Sequence, residues 1–250
     1  MRYKFINPNS YYKEFKQLFR FIIAPTYHSK KQLTLVEKIE GTWKMFVVKF
    51  VLALVIGIGV GLFYDPENLT KSNMMERFTS PFILFLVVFI LSLLEEFAFR
   101  LSLKFKPIFL AITLGVLTYY ILSKGVYQTK LSDFENQFIT RLAFVIAVII
   151  FSYFIFSLPI IKKKLQEFWK NNFRWILYLF CFGFAWPHIL NYELSILNLV
   201  LLPIITFDKL VSAFCYGYVR MHYGFIYSIG THIIWNSIGF TVSLLTVNNN

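Results

Sequence analysis

PFILFLVVFILSLLEEFAFRLSL, residues 81–103, carries no charge until Glu95, then adds Glu96 and Arg100. A bilayer-crossing helix needs about 20 mostly apolar residues, and this run is long enough. A charged side chain near the bilayer centre costs at least about 2.5–3.5 kcal/mol on insertion scales. The stretch therefore reads as a membrane helix whose ionisable groups face the interior of a bundle.

The rest of the chain agrees. It has 250 residues, 57% of them hydrophobic and 20% aromatic, with mean hydropathy +0.60; soluble domains average about 45–50% apolar residues. The excess lies in eight runs, roughly 45–64, 80–103, 105–122, 138–161, 173–190, 194–207, 209–221 and 223–247. The sixth and seventh are short and Pro203 interrupts the sixth, so these two read as half-spans or one broken span. The expected fold is an all-α polytopic membrane helix bundle of about eight transmembrane helices. It divides into a cytoplasmic arm over 1–43 and a membrane domain over 44–250. The charged, broken N-terminus does not read as a signal peptide, and the Asn248–Asn250 tail is expected to fray. Cys181 and Cys215 lie in apolar runs and imply no disulfide framework; they read as small buried hydrophobes.

Net charge is +12, and topology rather than nucleic acid accounts for it. With eight spans and the N-terminus inside, eighteen Lys and Arg fall on cytoplasmic pieces and five outside, among them Lys71 and Arg77. That bias obeys the positive-inside rule. Both termini are expected in the cytoplasm, in a multi-pass protein of the cytoplasmic membrane. The arm segment YYKEFKQLFRFII, residues 11–23, interleaves cations with aromatics, a pattern that suits a helix on an anionic membrane surface or a plain solvated arm.

Helical spacing sorts the polar groups. Glu96 and Arg100 stand at i and i+4 and can pair. Glu95 is rotated about 100° from Glu96 and has no counter-ion nearby in sequence. An unpaired carboxylate held from water is expected to have a raised pKa and to suit a general base. His232 and Asn236 are also i and i+4 and can donate toward one point, as an oxyanion requires, or form a plain interhelical contact. In FAWPH, Pro187 leaves the Gly183 carbonyl without its helical donor, so a kink is expected beside His188, with Phe184 walling its ring. His28 and His222 lie outside the apolar runs or at their edges and are assigned no chemistry.

Together these segments resemble the CPBP family of intramembrane proteases, which includes CAAX proteases and bacteriocin-processing enzymes. The family pattern EExxxR, FxxxH, HxxxN is matched in order by Glu95-Glu96 to Arg100, Phe184 to His188, and His232 to Asn236. YGYVRMHYGFIYSIGTHIIWN adds Gly217, Arg220 and Gly224 at family-like positions, and Leu101 stands where the family often has glycine. The likeness covers roughly 80–245. It implies that Glu95 and His188 activate a water, that His232 and Asn236 form the oxyanion hole, and that Glu96, Arg100 and Phe184 support the site. It implies a peptide or membrane-protein substrate and a glutamate-type mechanism without a cofactor. One Glu and two His could instead ligate zinc, although a helical HExxH is absent. Two alternatives remain: a non-catalytic scaffold or immunity protein, and a proton-coupled transporter.

Axial position raises a difficulty. Counted at about 1.5 Å per residue, Glu95 lies about 22 Å from the outer end of its span and His188 about 22 Å from the inner end of its own. In a core about 30 Å thick the two are expected to miss each other by over 10 Å.

Overall fold

The computed structural model describes residues 7–27, 32–64, 66–69, 80–135 and 137–247, with side chains to residue 242. His28, Lys71, Arg77 and the Asn248–Asn250 tail lie outside the described residues. Among the described residues the chain is helical with no strand. In order the helices are α1 Pro8–Ile23, α2 Leu35–Gly61, α3 Pro81–Phe99, α4 Pro107–Ile121, α5 Phe138–Ser157, α6 Pro159–Asn171, α7 Phe173–Ala185, α8 Ile196–Val200, α9 Leu202–Ile205, α10 Phe207–His222 and α11 Phe225–Val247. Short 3-10 segments extend α3 (Leu101–Leu103) and α7 (Trp186–Asn191), and a π turn extends α4 (Leu122–Val126).

Among the described residues five helical stretches are long and apolar enough to cross a membrane: Leu35–Gly61, Pro81–Leu103, Pro107–Val126, Phe138–Ser157 and Phe173–Asn191. The architecture is that of a helical membrane bundle. The first span starts ten residues earlier than its apolar run because Thr34 nucleates it: the Thr34 hydroxyl accepts from Glu37 N, and Thr34 N donates to the Glu37 carboxylate at 2.8 Å. This is a capping box, and it carries α2 without a break across residues 43 and 44. The run 138–161 ends early at Ser157, because Pro159 opens a separate basic helix, α6. The run 194–207 forms α8 and α9, of five and four residues. At about 1.5 Å per residue neither crosses a membrane, so the half-span reading describes this segment.

The centre of the bundle is α10, buried at every residue from Ser212 to Met221. It packs against α2, α7 and α11. Leu103, Leu177, Phe184, Cys181 and Cys215 join one core cluster with Phe21 of α1, and both cysteines are free thiols. Gly224, at φ +124°, makes the tight reversal from α10 into α11, a backbone conformation that glycine adopts without a Cβ clash. The outer faces of α2 and α5 expose Val51, Leu54, Val55, Ile58, Phe144, Ile150, Phe151 and Phe154, the apolar surface that lipid covers.

Candidate active site

Two of the cations inside apolar runs belong to the scaffold. Arg141 of α5 is buried; it donates to Ser123 Oγ at 2.8 Å and to the Asp133 carbonyl, tying α5 to the turn beyond α4. Lys49 of α2 is fully buried with its ammonium 3.1 Å from the centre of the Trp235 ring. Trp235 also meets Phe46 and Phe50 edge-on, so it fastens α2 to α11 beside Asn236.

The axial difficulty disappears because α7 begins beyond the end of α3. The Phe99 and Phe184 rings are 5.6 Å apart, which places these residues at one level. Glu95 lies four residues back along α3 and His188 four residues onward along α7. The helices run in opposite directions, so both shifts are about 6 Å the same way. The expected separation of more than 10 Å is thus corrected to 4.0 Å between His188 Nε2 and Glu95 Oε1. Sequence-based span boundaries erred because Phe173, Ile176 and Leu177 are apolar for packing on Leu103, Phe105 and Phe21 rather than for facing lipid.

The helix end at His188 follows from Pro187. The α-helix stops at Ala185 and continues as a 3-10 segment. Within it His188 Nδ1 bonds the Phe184 carbonyl at 2.7 Å. A carbonyl only accepts, so Nδ1 carries a proton, and Nε2 faces Glu95 Oε1. The Phe184 ring lies 4.8 Å from the His188 ring and 3.9 Å from the Arg100 guanidinium carbon.

The two glutamates separate as the helical rotation requires. Glu96 is fully buried. Its carboxylate accepts from Ser228 Oγ at 2.6 Å and from His232 Nδ1 at 2.9 Å, and it lies 3.6 Å from Arg100 Nε. Glu95 has no arginine, but it does have neighbours from distant segments. Besides His188, His232 Nε2 lies 3.4 Å from Glu95 Oε2. Its side chain is 22% exposed and lines a cavity of about 1640 Å³ together with His188, Pro187, Phe184 and Asn236. The carboxylate is therefore neither wholly unpartnered nor wholly enclosed, as its sequence had suggested.

His232 bridges both carboxylates and stacks on Tyr216 with centroids 4.5 Å apart. One turn on, Asn236 Nδ2 donates to Ser92 Oγ at 2.8 Å, and Ser92 Oγ donates to the Val88 carbonyl at 2.7 Å. His232 and Asn236 do share one face of α11. Each is held by a different turn of α3, His232 by Glu96 and Asn236 by Ser92. Sequence reasoning missed Ser92 and Ser228, although the signal was present: 92, 96 and 100 on α3, and 228, 232 and 236 on α11, repeat polar residues every fourth position on one face. Arg220 donates to the carbonyls of Arg100 and Leu101 at 3.0 and 2.9 Å. It closes the end of α3, where the Arg100 carbonyl otherwise accepts only a long 3.3 Å bond from Leu103 N.

No metal-ligating group of three or more His, Cys, Asp or Glu occurs among the described residues. No family model matches the chain, and comparison with curated proteins and with solved structures finds no match.

Proposed function

We propose that this protein is an intramembrane endopeptidase of the CPBP type, in which Glu95 and His188 activate a water against a peptide bond of a membrane-associated substrate. One observation carries the reading. Glu95 Oε1 and His188 Nε2 lie 4.0 Å apart at the wall of a cavity, and with a neutral imidazole both are acceptors. A water about 2.8 Å from each would subtend an angle of about 90° there, close to its own bond angle. Both of its hydrogens would be engaged, and its lone pairs would face the cavity.

Glu95 takes one proton as the water oxygen attacks the carbonyl carbon, and the negative charge moves from Glu95 to the carbonyl oxygen. His232 lies between the two carboxylates, with Nδ1 2.9 Å from Glu96 and Nε2 3.4 Å from Glu95. When Glu95 becomes neutral, a proton on Nε2 is free to bond the oxyanion. Asn236 spends one N–H on Ser92 and has a second to offer. Glu95 then returns its proton to the leaving nitrogen as the C–N bond breaks. Glu96, Arg100, Ser228 and Phe184 hold the two histidines in place. The eight-segment topology with both termini in the cytoplasm belongs to the same reading; it puts the end of α3 near Arg100 on the cytoplasmic side.

The decisive test compares membranes containing the native chain with membranes containing Glu95→Gln by peptide mass spectrometry. Loss of a general base typically costs about 10²–10⁴-fold, so the products are expected only with the native chain, while the folded variant accumulates equally. Cleavage by Glu95→Gln at a near-native rate overturns the assignment. Ion flux coupled to a solute would instead indicate a transporter.

A further inference from the structure

Helix α1 has two apolar stripes. One, with Leu18 and Phe21, is buried in the core, and on that side Glu14 accepts from Tyr223 Oη and Gln17 from Tyr218 Oη at 2.9 Å. The other consists of Tyr12, Phe15, Phe19 and Ile23, which are 64%, 40%, 56% and 52% exposed. Nothing among the described residues covers it. Lys13, Lys16 and Arg20 flank it, all exposed.

Helix α6 has the same character. Trp169 anchors it, donating to the Ser102 carbonyl at 2.8 Å and packing on Phe105 at 5.2 Å. Lys162, Lys163, Lys164 and Lys170 are exposed beside Ile160 and Phe168. The two helices sit at one end of the bundle: Phe105 N donates to Tyr27 Oη, just past α1, at 3.0 Å, and Phe105 also carries Trp169. The acids on these helices are Glu14, which faces the core, and Glu167. Phe168, Trp169 and Asn172 line the end of the same cavity that holds Glu95.

We propose that α1 and α6 form one surface that binds anionic phospholipid headgroups. Helix α1 packs on α2, which exposes Leu35, Val36 and Ile39 at its start and further apolar residues along its length, so the bilayer is the occupant within reach. An amphipathic helix with cations beside aromatics buries its apolar face at the headgroup boundary. Each cation near an anionic surface contributes up to about a fivefold preference. This surface is independent of the peptidase reading and stands or falls separately from it.

The test uses the full chain in proteoliposomes. Cys181 and Cys215 are buried, so a fluorophore on Phe15→Cys, or separately on Ile160→Cys, reports one position. Its quenching by doxyl-labelled phosphatidylglycerol is compared with that by doxyl-labelled phosphatidylcholine at equal mole fraction. At 0.1 M salt the anionic lipid is expected to be preferred about fivefold or more. The preference should fall toward unity at 1 M salt, where the Debye length shrinks to about 3 Å. It should also fall on combining Lys13→Gln, Lys16→Gln and Arg20→Gln, while quenching by phosphatidylcholine persists and shows the helix still docked. Equal quenching by both lipids in the native sequence, or none by either, overturns the proposal. The salt titration alone decides the matter if the substituted chain fails to fold.

Discussion

Replacing Glu96 by glutamine tests the architecture of the site most directly. The carboxylate is fully buried, 3.6 Å from Arg100 Nε, and accepts from Ser228 and His232. Arg100 is itself buried, and its terminal nitrogens have no hydrogen-bond partner. Neutralising Glu96 strands that guanidinium. At 3.6 Å, Coulomb's law with an effective dielectric near 20 gives about 5 kcal/mol. Removing one member of a buried pair costs about 3–5 kcal/mol. The two figures agree, and they are comparable to a whole folding free energy of about 5–15 kcal/mol. Arg100→Leu should cost somewhat less, because His232 and Ser228 still serve the carboxylate, although the Phe184 ring loses the cation over its face. The double substitution removes both charges and should fall short of the sum by about 3 kcal/mol. Reversible unfolding in mixed micelles, with all four chains under one condition, measures this coupling. Additivity within about 0.5 kcal/mol, or a neutral Glu96→Gln, would refute the view that this pair is the keystone of the bundle.

Asn236→Ala should lower kcat about 10²–10³-fold with KM nearly unchanged, and Asn236→Asp should do no better, since a carboxylate repels the developing charge. Ser92→Ala, which frees the Asn236 amide from its 2.8 Å contact, should reproduce part of that kcat loss without altering KM; a pure KM effect would move Asn236 to substrate binding. Chelators should leave cleavage by the purified protein intact, and metal analysis should find no stoichiometric zinc; zinc lost on His188→Ala would reverse this. Gly41→Ala should destabilise the packing of α2 against the end of α10, because the added Cβ would lie 2.6 Å from Tyr223 Cε1; unchanged thermal stability would contradict the close approach. Burial holds the Glu14 carboxyl above its ordinary value, against the opposing hydrogen bond from Tyr223. The folded state thus binds the proton more tightly, so this contribution is present at low pH and is lost as pH rises through the raised value; Glu14→Gln should flatten that dependence.

The helical class and the long apolar helices were legible because lipid demands runs of apolar residues, and run length is a local property. The different placement of Glu95 and Glu96, only the second beside Arg100, was legible too, since a rotation of about 100° per residue follows from adjacency alone. What could not be read was depth. Leu177 and Leu179 look alike in sequence, yet the first is in the core and the second is 71% exposed. The offset between α3 and α7 depends on such distinctions. The partners of Glu95 were equally hidden, because His188 and His232 come from segments whose spacing along the chain says nothing about their separation in the bundle. Ser92 and Ser228 were overlooked for another reason: serine is common in membrane helices, and its weight comes only from the fourfold repeat it completes.

The pairing of Glu96 with His232 spans 136 residues of chain. During synthesis at about 5–20 residues per second, α3 leaves the ribosome roughly 7–27 s before α11 exists. Through that interval Glu96 has only Arg100, and Glu95 lacks His232. A helix in that state carries charges that lipid does not accommodate cheaply. The buried polar cluster on α3 is therefore complete only once the last helix has been made. Truncation before α11 should leave Glu96 without His232 and Ser228 and lower the amount of chain that accumulates in the membrane, which immunoblotting would show.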